Sequence, residues 1–336
     1  ANQAARGGGR MTPMIETVHA ARWYGQVIAV SDVSLTLGPG VTGLLGPNGA
    51  GKSTLMKLMV GQLRPSRGEV KVLGESVWSH REVLRRVGYC PEHDGTYEKL
   101  TALEMVTLLG RLHGLGGGEA RRGAKAMLER LDLAGAMHRR LAELSKGMRQ
   151  RVKLAQAMAH GPDVLFLDEP LTGCDPLARV KVLEVIRELG ARGACVVVSS
   201  HVLYEIEALT SEILLIDKGQ VLAEGDLYAV RELIDQHPHK VRVACDRPRE
   251  LAGALLPAAH VLSIGFEEGA IAIETREPDR LYPAIPEAAR ALGIEIASLT
   301  SPDNNLASVF RYLTEERDKP GAAGPRRTPE KTGGAA

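Results

Sequence analysis

The stretch Gly46-Pro47-Asn48-Gly49-Ala50-Gly51-Lys52-Ser53 decides the fold. Its spacing is G-x-x-x-x-G-K-S/T, between an apolar run at residues 41–45 and a helical pattern at 52–60. The glycines let successive backbone N–H groups turn toward one anion with no Cβ in the way. The helix that follows aims its free donors and its dipole at the same point. Lys52 would reach the β- and γ-phosphates of ATP, and the hydroxyl of Ser53, with Thr54 beside it, faces the same ligand. Ser53 is the expected Mg²⁺ ligand in this loop.

Strands and helices alternate outward from the loop. Residues 14–20, 27–37, 68–73 and 87–90 read as strands, and 101–112, 119–133 and 151–159 as helices. Strands return at 164–167, 194–199 and 212–216, with a helix at 177–189. The order predicts an α/β P-loop NTPase cassette: a mainly parallel sheet covered on both faces, an antiparallel β edge and a helical insertion over about 93–160. After Asp235 the composition shifts. Strands at 241–245, 261–266, 270–274 and 294–299, with helices at 249–256 and 280–292, give the βαββαβ order of a small ferredoxin-like α+β unit. The expected division is a disordered segment 1–13, a cassette 14–235, an accessory domain 236–316 that ends in a helix at 305–316, and a disordered tail 317–336.

The run Val164-Leu165-Phe166-Leu167-Asp168-Glu169 is a buried strand that delivers two carboxylates at its carboxyl end, where ligand sites of such sheets lie. Asp168 is the expected Mg²⁺ holder, directly or through water. Glu169 is the expected general base that orients the attacking water. Alone this would be a strand ending in solvated acids; with the phosphate loop it reads as a catalytic pair.

Bulk properties narrow the class. Over 336 residues, 42 Lys+Arg stand against 41 Asp+Glu, a net charge of +1 that offers no basic excess for a polyanion, so no direct nucleic-acid partner is expected. Cys90, Cys174, Cys195 and Cys245 are scattered with no CxxC pair, which fits reduced thiols and no disulfide partner. No apolar run approaches the ~18 residues a membrane helix needs. Residues 1–10 lack the apolar core of a secretory signal. A cytoplasmic protein is expected, and a membrane role would need a partner that spans the bilayer.

Between the loop and the Asp-Glu strand lies Leu144-Ser145-Lys146-Gly147-Met148-Arg149-Gln150-Arg151. Here the chain resembles the ATP-binding cassette (ABC) family, whose signature LSGGQ is matched at Leu144, Ser145 and Gly147. Ser145 is placed as a helix N-cap, so that helix terminus could meet a γ-phosphate. Other positions agree with the resemblance. Tyr24 falls where the family stacks an aromatic ring on adenine. Gly173-Cys174-Asp175 looks like the loop that touches the opposite cassette. His201 matches the switch histidine that contacts the γ-phosphate and the attacking water. Two places depart from the pattern: Glu92 stands where the family carries a metal-contacting Gln, and Lys146 and Met148 replace a Gly and the Gln of LSGGQ. A carboxylate is the stronger ligand for a hard cation, so Glu92 is expected to hold Mg²⁺ as well.

The resemblance covers about residues 14–235 and implies a head-to-tail dimer, with a second copy or a paralogue as partner. Each ATP would lie between the loop Gly46 to Ser53 of one cassette and Ser145 to Gly147 of the other. It implies an integral-membrane permease on a separate chain, docking near Tyr97 to Glu104, with this chain peripheral on the inner face of the membrane. The segment Asn304 to Thr314 is similar to the end of cassette subunits that serve bacterial exporters, which supports export. The alternative is a non-transport ABC ATPase acting on a ribosome or a nucleic-acid complex.

Overall fold

A computed structural model describes residues 13–93, 95, 97–227, 239–300 and 326–327. The expected disordered segments, the boundary at Asp235 and the helix at 305–316 fall largely or wholly outside them. The chain divides into two compact units, residues 1–224 and 225–336.

The first unit is organised by its most apolar strands. β7 (Val164–Asp168) and β8 (Cys195–Ser200) are buried at every position, as strands covered on both faces must be. They pair in parallel with each other, and β3 (Gly40–Leu45) and β6 (Val87–Cys90) join them on either side. β9 (Glu212–Asp217) lies beyond β3, also parallel, and β10 (Gln220–Asp226) lies beyond β9. The central order is thus β10-β9-β3-β8-β7-β6. β3 and β7, far apart in sequence, flank β8, so the phosphate loop after β3 and the carboxylates at the end of β7 emerge at one edge.

A second sheet, β2-β1-β4-β5, is antiparallel: β1 (Ile15–Tyr24), β2 (Val27–Leu37), β4 (Arg67–Val72) and β5 (Glu75–Ser76). Its inward residues Ile15, Val33, Leu35 and Val70 share a core with Leu55, Met56 and Met59 of helix α1 (Lys52–Met59) and with Phe166 of β7. Helix α1 is thereby clamped between the two sheets, which fixes the direction of its N-terminus.

The helical insertion holds α2 (Ala102–Leu112), α3 (Gly117–Arg130) and α4 (Lys146–Met158), packed on one another. α2 begins with a capping box: Glu104 N–H donates to Thr101 Oγ1 at 3.2 Å and Thr101 N–H to the Glu104 carboxylate at 2.8 Å. α4 starts five residues before the expected 151, because Ser145 caps it by accepting the Met148 N–H at 3.2 Å. Helix α5 (Pro176–Ala191) carries the Asp175 cap and Pro at its first position.

In the second unit, β11 (His239–Cys245), β12 (Val261–Glu267), β13 (Ala270–Thr275) and β14 (Ile296–Thr300) form an antiparallel sheet in the order β12-β13-β11-β14. With the helices Pro248–Leu255 and Pro278–Leu292, this is a split βαββαβ arrangement. Its core is Val241, Val243, Ile271 and Ile273 against Leu251, Leu281 and Ile285.

Candidate functional site

The phosphate loop closes on itself through Lys52. The residue is only 6 % exposed, and its Nζ donates to Gly46 O at 2.7 Å and Pro47 O at 3.3 Å. Gly51 has φ +105°, and a Cβ there would lie 2.4 Å from Ala29 O. No side chain fits, so the loop backbone packs directly on β2.

Glu169, the residue after β7, takes φ +50°, a left-handed conformation that costs a residue with a Cβ about 1 kcal/mol or more. Both of its carboxylate oxygens face His201 Nδ1, at 3.0 and 3.1 Å, and Oε1 lies 3.7 Å from Lys52 Nζ. Burial pulls the Lys52 ammonium below its usual pKa, against the attraction of Glu169, Asp168 and Glu92. A desolvated cation facing a buried carboxylate suits a site built to take an anion that competes for that cation.

Asp168 is 1 % exposed. Ser199 Oγ donates to Asp168 Oδ1 at 2.6 Å and accepts the Glu169 N–H at 3.0 Å, so one hydroxyl fixes both acids. Gln150 Nε2 donates to Pro170 O at 3.1 Å and holds the chain just after Glu169. Lys153 Nζ donates to Pro91 O at 3.1 Å and Glu92 O at 2.9 Å, which pins the loop that carries Glu92.

These groups open onto one cleft of about 490 Å³, lined by Val27, Ile28 and Ala29, by residues 47–54, and by Glu92, Glu169, Thr172 and His201. Of the residues singled out in the sequence, Pro47, Asn48, Gly49, Ala50, Gly51, Lys52, Ser53, Thr54, Glu92, Glu169 and His201 meet there. Gly46 shapes the loop from behind: a Cβ on it would lie 2.4 Å from Ile216 O. Asp168 lies behind the cleft rather than on its wall. Tyr24 is half exposed, with Arg22 over its ring at 4.9 Å; it pairs with Val27 across the β1–β2 turn, and Val27 lines the cleft while Tyr24 does not.

Ser145, Gly147 and Asp175 gather elsewhere. Ser145 and Asp175 are exposed, each capping a helix. A Cβ on Gly147 would lie 2.5 Å from Gly173 O, so the start of α4 rests on the loop before α5. Accepting the Ala178 N–H holds the Asp175 carboxyl below its usual pKa. Sequence reading did not single out Ser199, Gln150, Lys153, Thr172 or residues 27–29. Two signals existed: Ser199 sits one strand over from Asp168 at the end of another apolar strand, and Gln150 follows the signature segment.

The residues fit a nucleoside triphosphate. A loop whose Gly46 and Gly51 leave no room for a Cβ, a buried amine and two hydroxyls come together at one cleft, as polyphosphate recognition requires. Among the described residues no group of three or more His, Cys, Asp or Glu could hold a metal ion by itself. Ser53 and Glu92 on the cleft wall offer oxygen donors of the kind Mg²⁺ prefers.

The family model for ABC transporter matches residues 30–172. The chain is 33% identical over 307 residues to the daunorubicin/doxorubicin resistance ATP-binding protein DrrA of Streptomyces peucetius, covering 90% of this chain and 93% of that protein. It is 36% identical over 264 residues to a Nod factor export ATP-binding protein I of Burkholderia thailandensis, covering 76% and 84%. Among solved structures, the ATP-binding subunit of an ABC transporter superposes with TM-score 0.62 at 31% identity, over 66% of this chain and 93% of that one. A dimeric bacterial ABC transporter cassette superposes with TM-score 0.59 at 25% identity, over 64% and 99%. The chain belongs to the ATP-binding proteins of ABC transporters, a family of ATPases with an α/β P-loop cassette fold.

Proposed function

We propose that this chain powers a separate membrane permease, in export, by binding and hydrolysing ATP between two cassettes. The carrying observation is the Glu169 carboxylate held between His201 Nδ1 at 3.0 Å and Lys52 Nζ at 3.7 Å, on the wall of the phosphate cleft. The loop N–H groups and the N-terminus of α1 take the triphosphate, and Lys52 neutralises its β- and γ-oxygens. The phosphates compete with Glu169 for Lys52, which leaves the carboxylate free for a water. Glu169 takes a proton from that water as its oxygen attacks the γ-phosphorus, and the bond to ADP breaks. His201, oriented by Glu169, faces the transferred group. Mg²⁺ would supply charge neutralisation, held by Ser53 and Glu92, with Asp168 acting through water from behind the cleft wall. Val27 and Ile28 give the base an apolar edge beside Tyr24.

Exposed Ser145 and half-buried Gly147, which rests on the loop before Asp175, form the surface offered to a second cassette, and the dimeric cassette among the similar structures supports that reading. Export rests on the named role of the Nod factor relative and on the similarity of the 304–314 segment. No helix among the described residues is long and apolar enough to cross a membrane. In this reading the permease is another chain, and this one docks on its cytoplasmic face. Tyr97, 61 % exposed just before α2, lies in the segment proposed for docking.

The test is phosphate release by the full chain, together with affinity capture from membranes. Turnover that matches a Glu169→Gln control would overturn the ATPase. Capture that never yields an integral-membrane protein would overturn the permease.

A further inference from the structure

A chain of polar contacts joins two places that the proposed mechanism treats separately. At one end is the loop that leads to Asp175. Arg179, one turn into α5, donates from Nε to Cys174 O at 3.4 Å. Its Nη1 donates to the Tyr204 hydroxyl at 3.0 Å and forms an ion pair with Glu205 Oε1 at 3.0 Å. The Glu205 side chain is 10 % exposed, and its other oxygen accepts the Ser200 Oγ–H at 2.8 Å. Ser200 Oγ in turn accepts the Val202 N–H at 3.0 Å. Ser200 and Val202 flank His201, whose Nδ1 faces Glu169.

The carboxylate in the middle of this chain has both oxygens engaged, one by an ion pair and one by a hydrogen bond. A buried carboxylate needs both of its oxygens satisfied, and here one faces the guanidinium and the other the serine hydroxyl. With its proton committed to Glu205, the Ser200 hydroxyl must accept from Val202, so the backbone on both sides of His201 is fixed in one conformation. Arg179 is suited to this because its planar fork reaches the loop carbonyl and the carboxylate at once; a lysine could reach only one.

We propose that Arg179 and Glu205 are positioning residues that couple the Asp175 loop to His201. They set the imidazole against Glu169 only when the Asp175 loop is seated. A second cassette touching Asp175 would seat the loop, so hydrolysis would follow assembly. This rests on the reading of His201 and Asp175 given above.

The test is steady-state ATP hydrolysis by the full chain carrying Glu205→Gln, Arg179→Lys, Arg179→Met, or Glu205→Gln with Arg179→Met. Melting temperature and ATP-induced melting shift are read on each. Expected is a fall in kcat of about tenfold in Glu205→Gln and Arg179→Met, with KM for ATP and the ATP-induced shift within about twofold of wild type. The double variant should fall no further than either single one, as expected for residues acting as a unit. Arg179→Lys keeps the charge but cannot span both partners, and should fall as far as Arg179→Met. Unchanged kcat in the near-isosteric Glu205→Gln, additive losses in the double variant, or a KM that rises in step with the loss of kcat would each overturn the coupling. An inactive wild-type chain would instead overturn the reading of the site itself.

Discussion

The imidazole of His201 faces both carboxylate oxygens of Glu169 across 32 residues of sequence, with Nδ1 at 3.0 and 3.1 Å. The two side chains arrive from neighbouring strands: β7 ends at Asp168, β8 at Ser200, and each active residue is the next one along. In the proposed mechanism this contact would leave Nε2 for the substrate.

Loss of either partner should stop chemistry while sparing substrate binding. Glu169→Gln and His201→Ala are each expected to lower kcat by about 10²- to 10⁴-fold. Both should retain the rise in melting temperature that ATP gives the wild type, since neither touches the backbone cradle. A variant that turns over normally in a phosphate-release assay would contradict the assignment.

Ser199 binds both acids through one hydroxyl. Ser199→Ala leaves a buried Asp168 oxygen and a buried N–H without that partner, at a cost of about 1–3 kcal/mol in urea unfolding. Turnover should fall about tenfold at little change in KM, because Glu169 loses its anchor while Lys52 and the loop stay in place. Undiminished stability would show that the hydroxyl does not hold the pair.

Gly147 is required by its neighbour. A methyl group there would press on Gly173 O from 2.5 Å, so Gly147→Ala is expected to cost about 1–3 kcal/mol and to shift the loop before Asp175. Gly135, with nothing within 4 Å of a built Cβ, is the comparison: Gly135→Ala should stay within about 0.5 kcal/mol of wild type. Equal stability of the two variants would refute the close approach.

The rings of His113 and His160 stack at 3.7 Å and 9° between α2 and the end of α4. Burial, and then the neighbouring His113, pull His160 down from 6.5 to about 4; burial also lowers His113. A lowered folded pKa means that the unfolded chain binds the proton first. Stability is therefore full above pH 6.5 and is lost as pH falls from 6.5 toward 4. The loss should reach roughly 3 kcal/mol at the bottom of that window. His160→Phe should flatten this limb in melts recorded from pH 7 to pH 4; an unchanged acid limb would place the acid sensitivity elsewhere.

The cassette was legible because its signals are local. Residues 46–53 carry the loop-before-helix spacing within eight positions, and a four-residue apolar run ending in Asp-Glu reads as a buried strand with its charges at the exit. The Ser145 cap was legible for the same reason, being a contact over three residues; the Asp175 cap, equally local, was not read from the sequence. The start of α4 was less so, because Lys-Gly-Met-Arg gives no apolar periodicity to mark a first turn.

Sequence by itself determined the phosphate loop, the acidic strand end, the alternation that makes a mainly parallel sheet and the family to which these belong, since each depends on residue type and short spacing. Tertiary structure alone decided that Ser199 ties Asp168 to Glu169, that Val27 lines the cleft while Tyr24 stands outside it, and that Arg179 reaches Glu205. Those contacts join residues tens of positions apart. Their geometry comes from strand order and from the packing of helices on the sheet, which no local pattern of side chains encodes.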